Sequence, residues 1–192
     1  MNDQPVSSEQ TPARPVALFF DLGDTIMIEE SEVKDADQTT TRADLIPGMA
    51  EAVRTLRARG VPLALVADSR PQTPPNVLKQ HSLLELFDYL AISEVVGVSK
   101  PDAEIFRAAL DALRIAPSEY SRVVMVGNNL ERDIAGANRL GLISVFFHWN
   151  DRRRSQPLTE EEKPQYTVSS AAELVALIDR LAGQDRDTDV RE

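Results

Sequence analysis

Four short stretches carry side chains that could do chemistry, and each stands beside a run of apolar residues. Asp21 closes the run Ala17-Leu18-Phe19-Phe20 and leads at once into Leu22-Gly23-Asp24-Thr25. Asp68-Ser69 follows Leu63-Ala64-Leu65-Val66-Ala67, Ser99-Lys100-Pro101 precedes an apolar helical pattern, and Asn128-Asn129 follows Val123-Val124-Met125-Val126-Gly127. A carboxylate at the carboxyl edge of a buried strand stands where open α/β sheets hold their ligands. An Asp in such a place also starts turns or caps the next element, and taken alone the first stretch leaves both readings open.

The elements that must position these residues follow from hydrophobic periodicity. Val16 to Phe20, Leu63 to Val66, Tyr89 to Ile92, Arg122 to Val126 and Ile143 to Phe147 read as buried strands, and Tyr166 to Val168 as a short one. Between them, Met49, Val53 and Leu56 keep helical spacing between Pro47-Gly48 and Arg59-Gly60, and a helix is expected near Asn76 to Ser82 after the stiff Arg70 to Pro75 turn. Ile105, Phe106, Ala109, Leu110 and Leu113 form another stripe. Glu131 to Leu140 predicts a further helix, and the last carries Leu174, Leu177, Ile178 and Leu181 behind a Ser170-to-Glu173 capping box. Strands alternating with helices predict an α/β domain, a Rossmann-like three-layer α/β/α sandwich around a mainly parallel sheet. The polar stretch Glu29 to Asp44 reads as a solvated loop, as does Asn150 to Gln165.

The chain has 192 residues, room for one well-buried domain, expected over residues 15–182. Residues 1–14 read as a disordered leader and 183–192 as a charged tail. A net charge of −10 disfavours non-specific binding to nucleic acid or to an anionic membrane, so an anionic ligand needs local positive charge or a metal. The absence of Cys excludes disulfides, thiolate metal sites and cysteine nucleophiles. No apolar run approaches the ~20 residues of a membrane span, and a cytoplasmic protein is the default expectation.

The four stretches, in this order from about Val16 to Leu181, resemble the haloacid dehalogenase superfamily, most of whose members are magnesium-dependent phosphatases. The resemblance implies a phosphate-ester hydrolase in which Asp21 attacks phosphorus and becomes an aspartyl phosphate. It implies Mg²⁺ as cofactor, held at Asp21, the Gly23 carbonyl, Asn128 and Asp133, and it makes Lys100 the cation that bridges nucleophile and phosphate. Asp68, Ser69 and Lys100 are the implied substrate-binding positions. Phosphatases of this kind place a second Asp two residues after the nucleophile as general acid–base, a role worth ~10²–10⁴ in rate. Here that position is Gly23, so the catalytic set expected is Asp21, Lys100 and Asp24, the last taking over the acid's role. Ala67 stands where a Ser or Thr is usual, and Asn128 where an acid is usual.

Those three departures also suit a second class, a catalytically impaired binding or regulatory protein with this fold. A carbon–halogen hydrolase is a third reading, because such relatives also attack through Asp and lack the second one. Neither Glu29 to Asp44 nor Arg70 to Ser99 is long enough for a sizeable cap. An open site favours a phosphorylated small molecule or a larger phosphorylated substrate, with a homo-oligomer able to close the cleft.

Three further features have a plain reading beside a functional one. Arg152-Arg153-Arg154 and Glu160-Glu161-Glu162 read first as a loop whose charges offset one another, with phosphate recognition as the alternative. His148-Trp149 reads as a packing Trp with a hydrogen-bonded His, although either could touch a substrate. His81 reads as a donor at a helix end.

Overall fold

The computed structural model describes residues 14–183; of the expected leader 1–14 and tail 183–192, residues 1–13 and 184–192 lie outside the described residues. Arg14, counted with the leader, is held to the domain: its guanidinium donates to the Arg59 carbonyl (2.7 Å), and its own carbonyl accepts from Arg122 Nε (3.1 Å).

Among the described residues, eight strands and six α-helices follow one another. The strands are β1 (Ala17–Phe20), β2 (Val33–Lys34), β3 (Thr40–Arg42), β4 (Leu63–Ala67), β5 (Tyr89–Ile92), β6 (Val123–Gly127), β7 (Ile143–Phe147) and β8 (Tyr166–Val168). The helices are α1 (Met49–Ala58), α2 (Thr73–Gln80), α3 (Ser93–Val96), α4 (Ala103–Ala112), α5 (Ala135–Arg139) and α6 (Ala171–Leu181). Six strands pair in parallel in the order β5-β4-β1-β6-β7-β8. The chain leaves β1 toward β4 on one side and later returns to β6 on the other. The carboxyl end of β1 therefore opens at a switch point, where no crossover helix covers the crevice.

Strand alternation divides the core between the two faces. Leu18, Phe20, Leu63, Leu65, Val124 and Val126 pack on one face with Met49, Val53 and Leu56 of α1, Val77 of α2 and Leu174, Leu177 and Ile178 of α6. Ala17, Phe19, Ala64, Val66, Val123 and Met125 pack on the other with Ile105, Phe106, Ala109 and Leu110 of α4 and Ala137 of α5. Each fully buried Leu or Phe contributes roughly 1.5–3 kcal/mol, which holds the sheet rigid beneath the site. The three-layer sandwich read from the sequence is the observed one.

The differences are local. The second helix begins at Thr73, because Pro74 and Pro75 fill a first turn whose N–H groups need no partner. In the box before α6, Ser170 Oγ accepts from Glu173 N–H (3.2 Å), but the Glu173 carboxylate returns to Ser169 N–H (2.8 Å), one residue further out. Glu29 to Asp44 is not a simple loop. A 3-10 turn, Glu29–Ser31, leads into the antiparallel β2–β3 hairpin, whose turn is tied by Asp35 Oδ1 accepting from Asp37 N–H (3.0 Å) and Thr39 N–H (2.9 Å). The hairpin rests on α2: Thr40 N–H donates to Thr73 Oγ1 (3.1 Å), and Asn76 Nδ2 to the Thr40 carbonyl (3.0 Å). His81, at the end of α2, completes the seat with Nε2 2.8 Å from the Ala43 carbonyl. Polar side chains and a bulged two-residue strand hide this hairpin from a search for alternating apolar residues.

Gly136, at the start of α5, lets α4 approach closely: a Cβ there would lie 2.6 Å from Phe106 Cζ and closer still to Cε2. Gly136→Ala is therefore expected to overpack this contact and cost ~1–3 kcal/mol, read as a lower denaturation midpoint in urea.

Candidate active site

The site is built at the carboxyl ends of β1, β4 and β6, around a cleft of about 550 Å³. Asp21 extends β1 by one residue: its N–H donates to the Val126 carbonyl (2.9 Å), so the neighbouring strand fixes the backbone while the carboxylate is free to face the cleft. Lys100 reaches in from the turn before α4. Its ammonium lies 2.6 Å from Asp21 Oδ1 and 2.7 Å from Asp133 Oδ1, and its side chain is only 2% exposed.

Burial alone would lower the Lys100 pKa, but the charges of Asp133, Asp21 and Asp68 outweigh it and raise it, so the ammonium stays charged. Asp133 moves upward too, chiefly through burial, with Asp21 adding to the rise and Lys100 opposing it. The cluster thus has two carboxylates sharing one buried cation.

Local backbone explains the placement of Asp133. Asn129 caps the turn after β6, its Oδ1 accepting from Glu131 N–H (3.0 Å) and Arg132 N–H (3.2 Å). The expected helix from Glu131 opens as a wide π turn, Leu130–Ile134, before regular α5. Asp133 then folds back so that Oδ2 accepts from Asn129 N–H (2.9 Å), beside Gly127, whose missing side chain leaves the carboxylate its space. With Oδ1 on Lys100 and Oδ2 on Asn129, both Asp133 oxygens are engaged. Asp133, expected among the metal ligands, lines the cleft and positions Lys100 there.

Asp68 is also occupied. Oδ1 accepts the Lys100 backbone N–H (2.9 Å) and Oδ2 faces Arg132 (3.3 Å), so it holds the lysine turn against β4 as it lines the cleft. Ser69 lines the cleft beside it, its N–H donating to Ser93 Oγ (3.1 Å) and its hydroxyl to the Arg70 carbonyl (3.3 Å). Ala67 ends β4 at the cleft wall and offers no side-chain donor.

Asp24 departs furthest from its expected role. It is fully buried with a left-handed φ of 48° and is not among the residues lining the cleft. Its Oδ1 accepts the Glu29 N–H (3.1 Å) and its Oδ2 pairs with Arg152 (2.9 Å). Both oxygens are paired with neighbours, away from the cleft lining where the acid's role was expected.

The arginine run is where sequence reasoning fell short. Arg152 and Arg153 do not pair with Glu160 to Glu162; they turn back to the β1 loop, where Arg153 meets Glu29 (2.8 Å) and Arg152 meets Asp24, Glu29 (3.5 Å) and Glu30 (3.5 Å). Arg154 alone makes the local contact, with Glu162 (2.7 Å) and Glu131 (3.0 Å). Glu29, missed in an acidic stretch, lines the cleft together with Arg153. No sequence signal tied residues 29 and 153 together beyond their opposite charge. Trp149 packs against the core as expected, and His148 stacks on Phe146 (5.4 Å between ring centres), but its Nε2, 3.2 Å from Asp151, makes no hydrogen bond among the described residues.

The donors left for a cation are the Asp21 carboxylate, the Gly23 carbonyl and the Asn128 side chain. Asn128 lines the cleft and is only 5% exposed. This set is all oxygen with a single carboxylate, and among the described residues no three His, Cys, Asp or Glu side chains gather as a metal site. It fits a hard cation such as Mg²⁺, which keeps its waters and shares substrate phosphate, and does not fit a softer metal that needs a full protein cage.

The haloacid dehalogenase-like hydrolase pattern matches residues 18–141, a span running from β1 through the π turn and α5. The chain belongs to this family. Among similar proteins, the glyceraldehyde 3-phosphate phosphatase of Pyrococcus furiosus is 28% identical over 74% of this chain and 58% of its own. The phosphoserine phosphatase of Thermus thermophilus is 34% identical over 69% of this chain and 51% of its own. This chain thus spans little more than half the length of either relative. The magnesium-bound putative HAD-hydrolase YfnB of Bacillus subtilis shares the fold with a TM-score of 0.69 at 17% identity, covering 86% of this chain and 99% of that one. Among the described residues no helix is long and apolar enough to cross a membrane.

Two expectations follow from this geometry. Asp133→Ala should cost about 3 kcal/mol, the lower end for breaking a buried ion pair because Asp21 still faces the ammonium, and urea unfolding would read it. Glu162 is held at about 2, below its ordinary 4.5, first by Arg154 and then by the Leu158 N–H. Its folded form binds a proton more weakly than the unfolded chain does. This anchor is therefore fully present above about pH 4.5 and is lost as pH falls toward 2, which amide exchange across residues 150–165 would show as faster exchange over that window.

Proposed function

We propose that this chain hydrolyses phosphate esters through an aspartyl-phosphate intermediate on Asp21, with Mg²⁺ as cofactor. The observation that carries the reading is the Asp21 carboxylate at the open end of β1, with Lys100 Nζ at 2.6 Å and the lysine itself locked by Asp133 at 2.7 Å. The similar proteins named as phosphatases support the reaction class.

Asp21 suits the nucleophile's part because its backbone is fixed by β6 and its carboxylate faces the cleft. Attack of a carboxylate oxygen on phosphorus expels the ester oxygen, and water then releases inorganic phosphate and restores the carboxylate. The Lys100 ammonium is already charged and desolvated, so it meets the phosphoryl oxygens without reorganising as their charge shifts. Asp68 and Asp133 act through Lys100, one on its backbone and one on its ammonium. When bound at Asp21, the Gly23 carbonyl and Asn128, Mg²⁺ would supply charge neutralisation at the phosphate. Ser69 and Arg153 line the same cleft and are the groups placed to meet the substrate.

The hairpin at residues 33–42 supplies Lys34, Gln38 and Thr40 to one wall of the cleft, and no larger element covers it among the described residues. A phosphorylated small molecule or a larger phosphorylated substrate fits such an opening, and a second copy of the chain could complete its outer wall.

Hydrolysis of an aryl phosphate should require Mg²⁺ and fall to background in Asp21→Asn with the fold intact by circular dichroism. Equal activity in the two proteins would rule out Asp21 as the nucleophile. Activity on a haloacid without metal would instead favour carbon–halogen hydrolysis.

A further inference from the structure

Position 23 is a glycine in the family's acid–base place, yet the space its side chain would fill is not empty. A Cβ built on Gly23 would lie 2.9 Å from Glu29 Cγ and 3.0 Å from Glu29 Cδ, and closer still to Oε1. The Glu29 side chain thus occupies the space into which a side chain at residue 23 would grow.

We propose that Glu29 is the general base of this site, the group that activates water against the phosphorylated Asp21, delivered from the 3-10 turn into the volume that Gly23 leaves free. The inference rests on the reading of Asp21 as nucleophile.

Three observations converge on this role. First, Glu29 lines the cleft with Asp21, and its side chain is 26% exposed, open enough to meet a water. Second, the other acids at this edge serve Lys100 or lie off the cleft: Asp133 and Asp68 hold the lysine, and the fully buried Asp24 pairs with Arg152 outside the cleft lining. Third, Glu29 is positioned as a working group has to be. A glutamate reaching across from six residues away has more freedom than an aspartate on the motif itself, and that freedom is removed from both ends. The buried Asp24 carboxylate fixes the Glu29 N–H, while Arg153 (2.8 Å) and Arg152 (3.5 Å) fix its carboxylate. Arg152 bridges Asp24 and Glu29, so the aspartate displaced by one position in the motif orients the acid it does not itself replace.

In the first step an Asp21 oxygen bonds to phosphorus and the phosphorus–ester oxygen bond breaks with its electron pair on that oxygen, which takes its proton from water. In the second step the Glu29 carboxylate takes a proton from the water whose oxygen attacks phosphorus. The bond to Asp21 breaks, phosphate leaves, Glu29 returns its proton to solvent, and both carboxylates are restored.

The test uses the full chain with Mg²⁺ and an aryl phosphate, whose good leaving group needs little protonation. Glu29→Gln should keep the initial burst of phenol release while steady turnover falls by ~10²–10⁴, and phosphorylated Asp21 should accumulate in rapidly quenched samples analysed by intact mass. Gly23→Asp alone should not raise activity, because the new side chain meets Glu29. Combined with Glu29→Ala it should recover steady turnover well above Glu29→Ala by itself. If Glu29→Gln turns over like the wild type, or loses burst and turnover equally with no phosphoenzyme, the proposal fails while an inactive Asp21→Asn still upholds the nucleophile. If Asp21→Asn retains the wild-type activity, both readings fail together.

Discussion

A lysine ammonium taken out of water is tolerable only where carboxylates replace its solvation, since the residual penalty is several kcal/mol for each buried ion. Lys100 meets that condition twice, through Asp21 from β1 and Asp133 from the turn after β6, and Asp68 from the end of β4 fixes its backbone. Three strand ends are thereby tied to one residue. Remove the ammonium and two acids face each other at the mouth of the sheet; remove the acids and a cation is stranded in the interior. The π turn, the Asn129 cap and the side-chain-free Gly127 are all arrangements that bring Asp133 to this point.

The parallel sheet makes the arrangement possible. Because β4 and β6 flank β1 on opposite sides, their carboxyl ends and the Lys100 turn enclose one crevice, and all the backbone groups inside the sheet are already paired. Side chains there are held by a rigid floor of Leu, Val and Phe, while the loops that carry variation rise above it. The β2–β3 hairpin and the loop around Arg152 and Arg153 are two such additions, the first seated on α2 and the second on the β1 loop through Asp24 and Glu29. The sheet edge supplies the charge cluster, and the loops supply what stands over it.

A one-residue displacement in the first motif shows how a site can redistribute its parts. Moving the aspartate from position 23 to 24 turns it away from the cleft into a buried pair with Arg152, and it frees a volume that Glu29 enters. Asp24 then caps the Glu29 N–H, so the displaced acid supports the side chain that stands in the vacated space. An apparent loss in the linear pattern is, in three dimensions, an exchange of neighbours.

The residues of the floor were legible from the sequence. Runs such as Val123 to Val126 and Leu63 to Val66 are apolar on both faces because helices cover both, and that alone declares a parallel sheet with Asp21, Asp68 and Asn128 at its ligand edge. Spacing also fixed α4 and α6, whose stripes repeat within one element. What spacing could not declare is any pairing between distant polar residues, because a charge carries no periodicity. Glu29 and Arg153 lie 124 residues apart and looked like parts of two solvated runs until the fold set them 2.8 Å apart. The same limit applied to Asp24 and Asp133. Their residue types pointed to acid and metal roles, but a carboxylate's role depends on which donors its oxygens already serve, and only tertiary structure decides that.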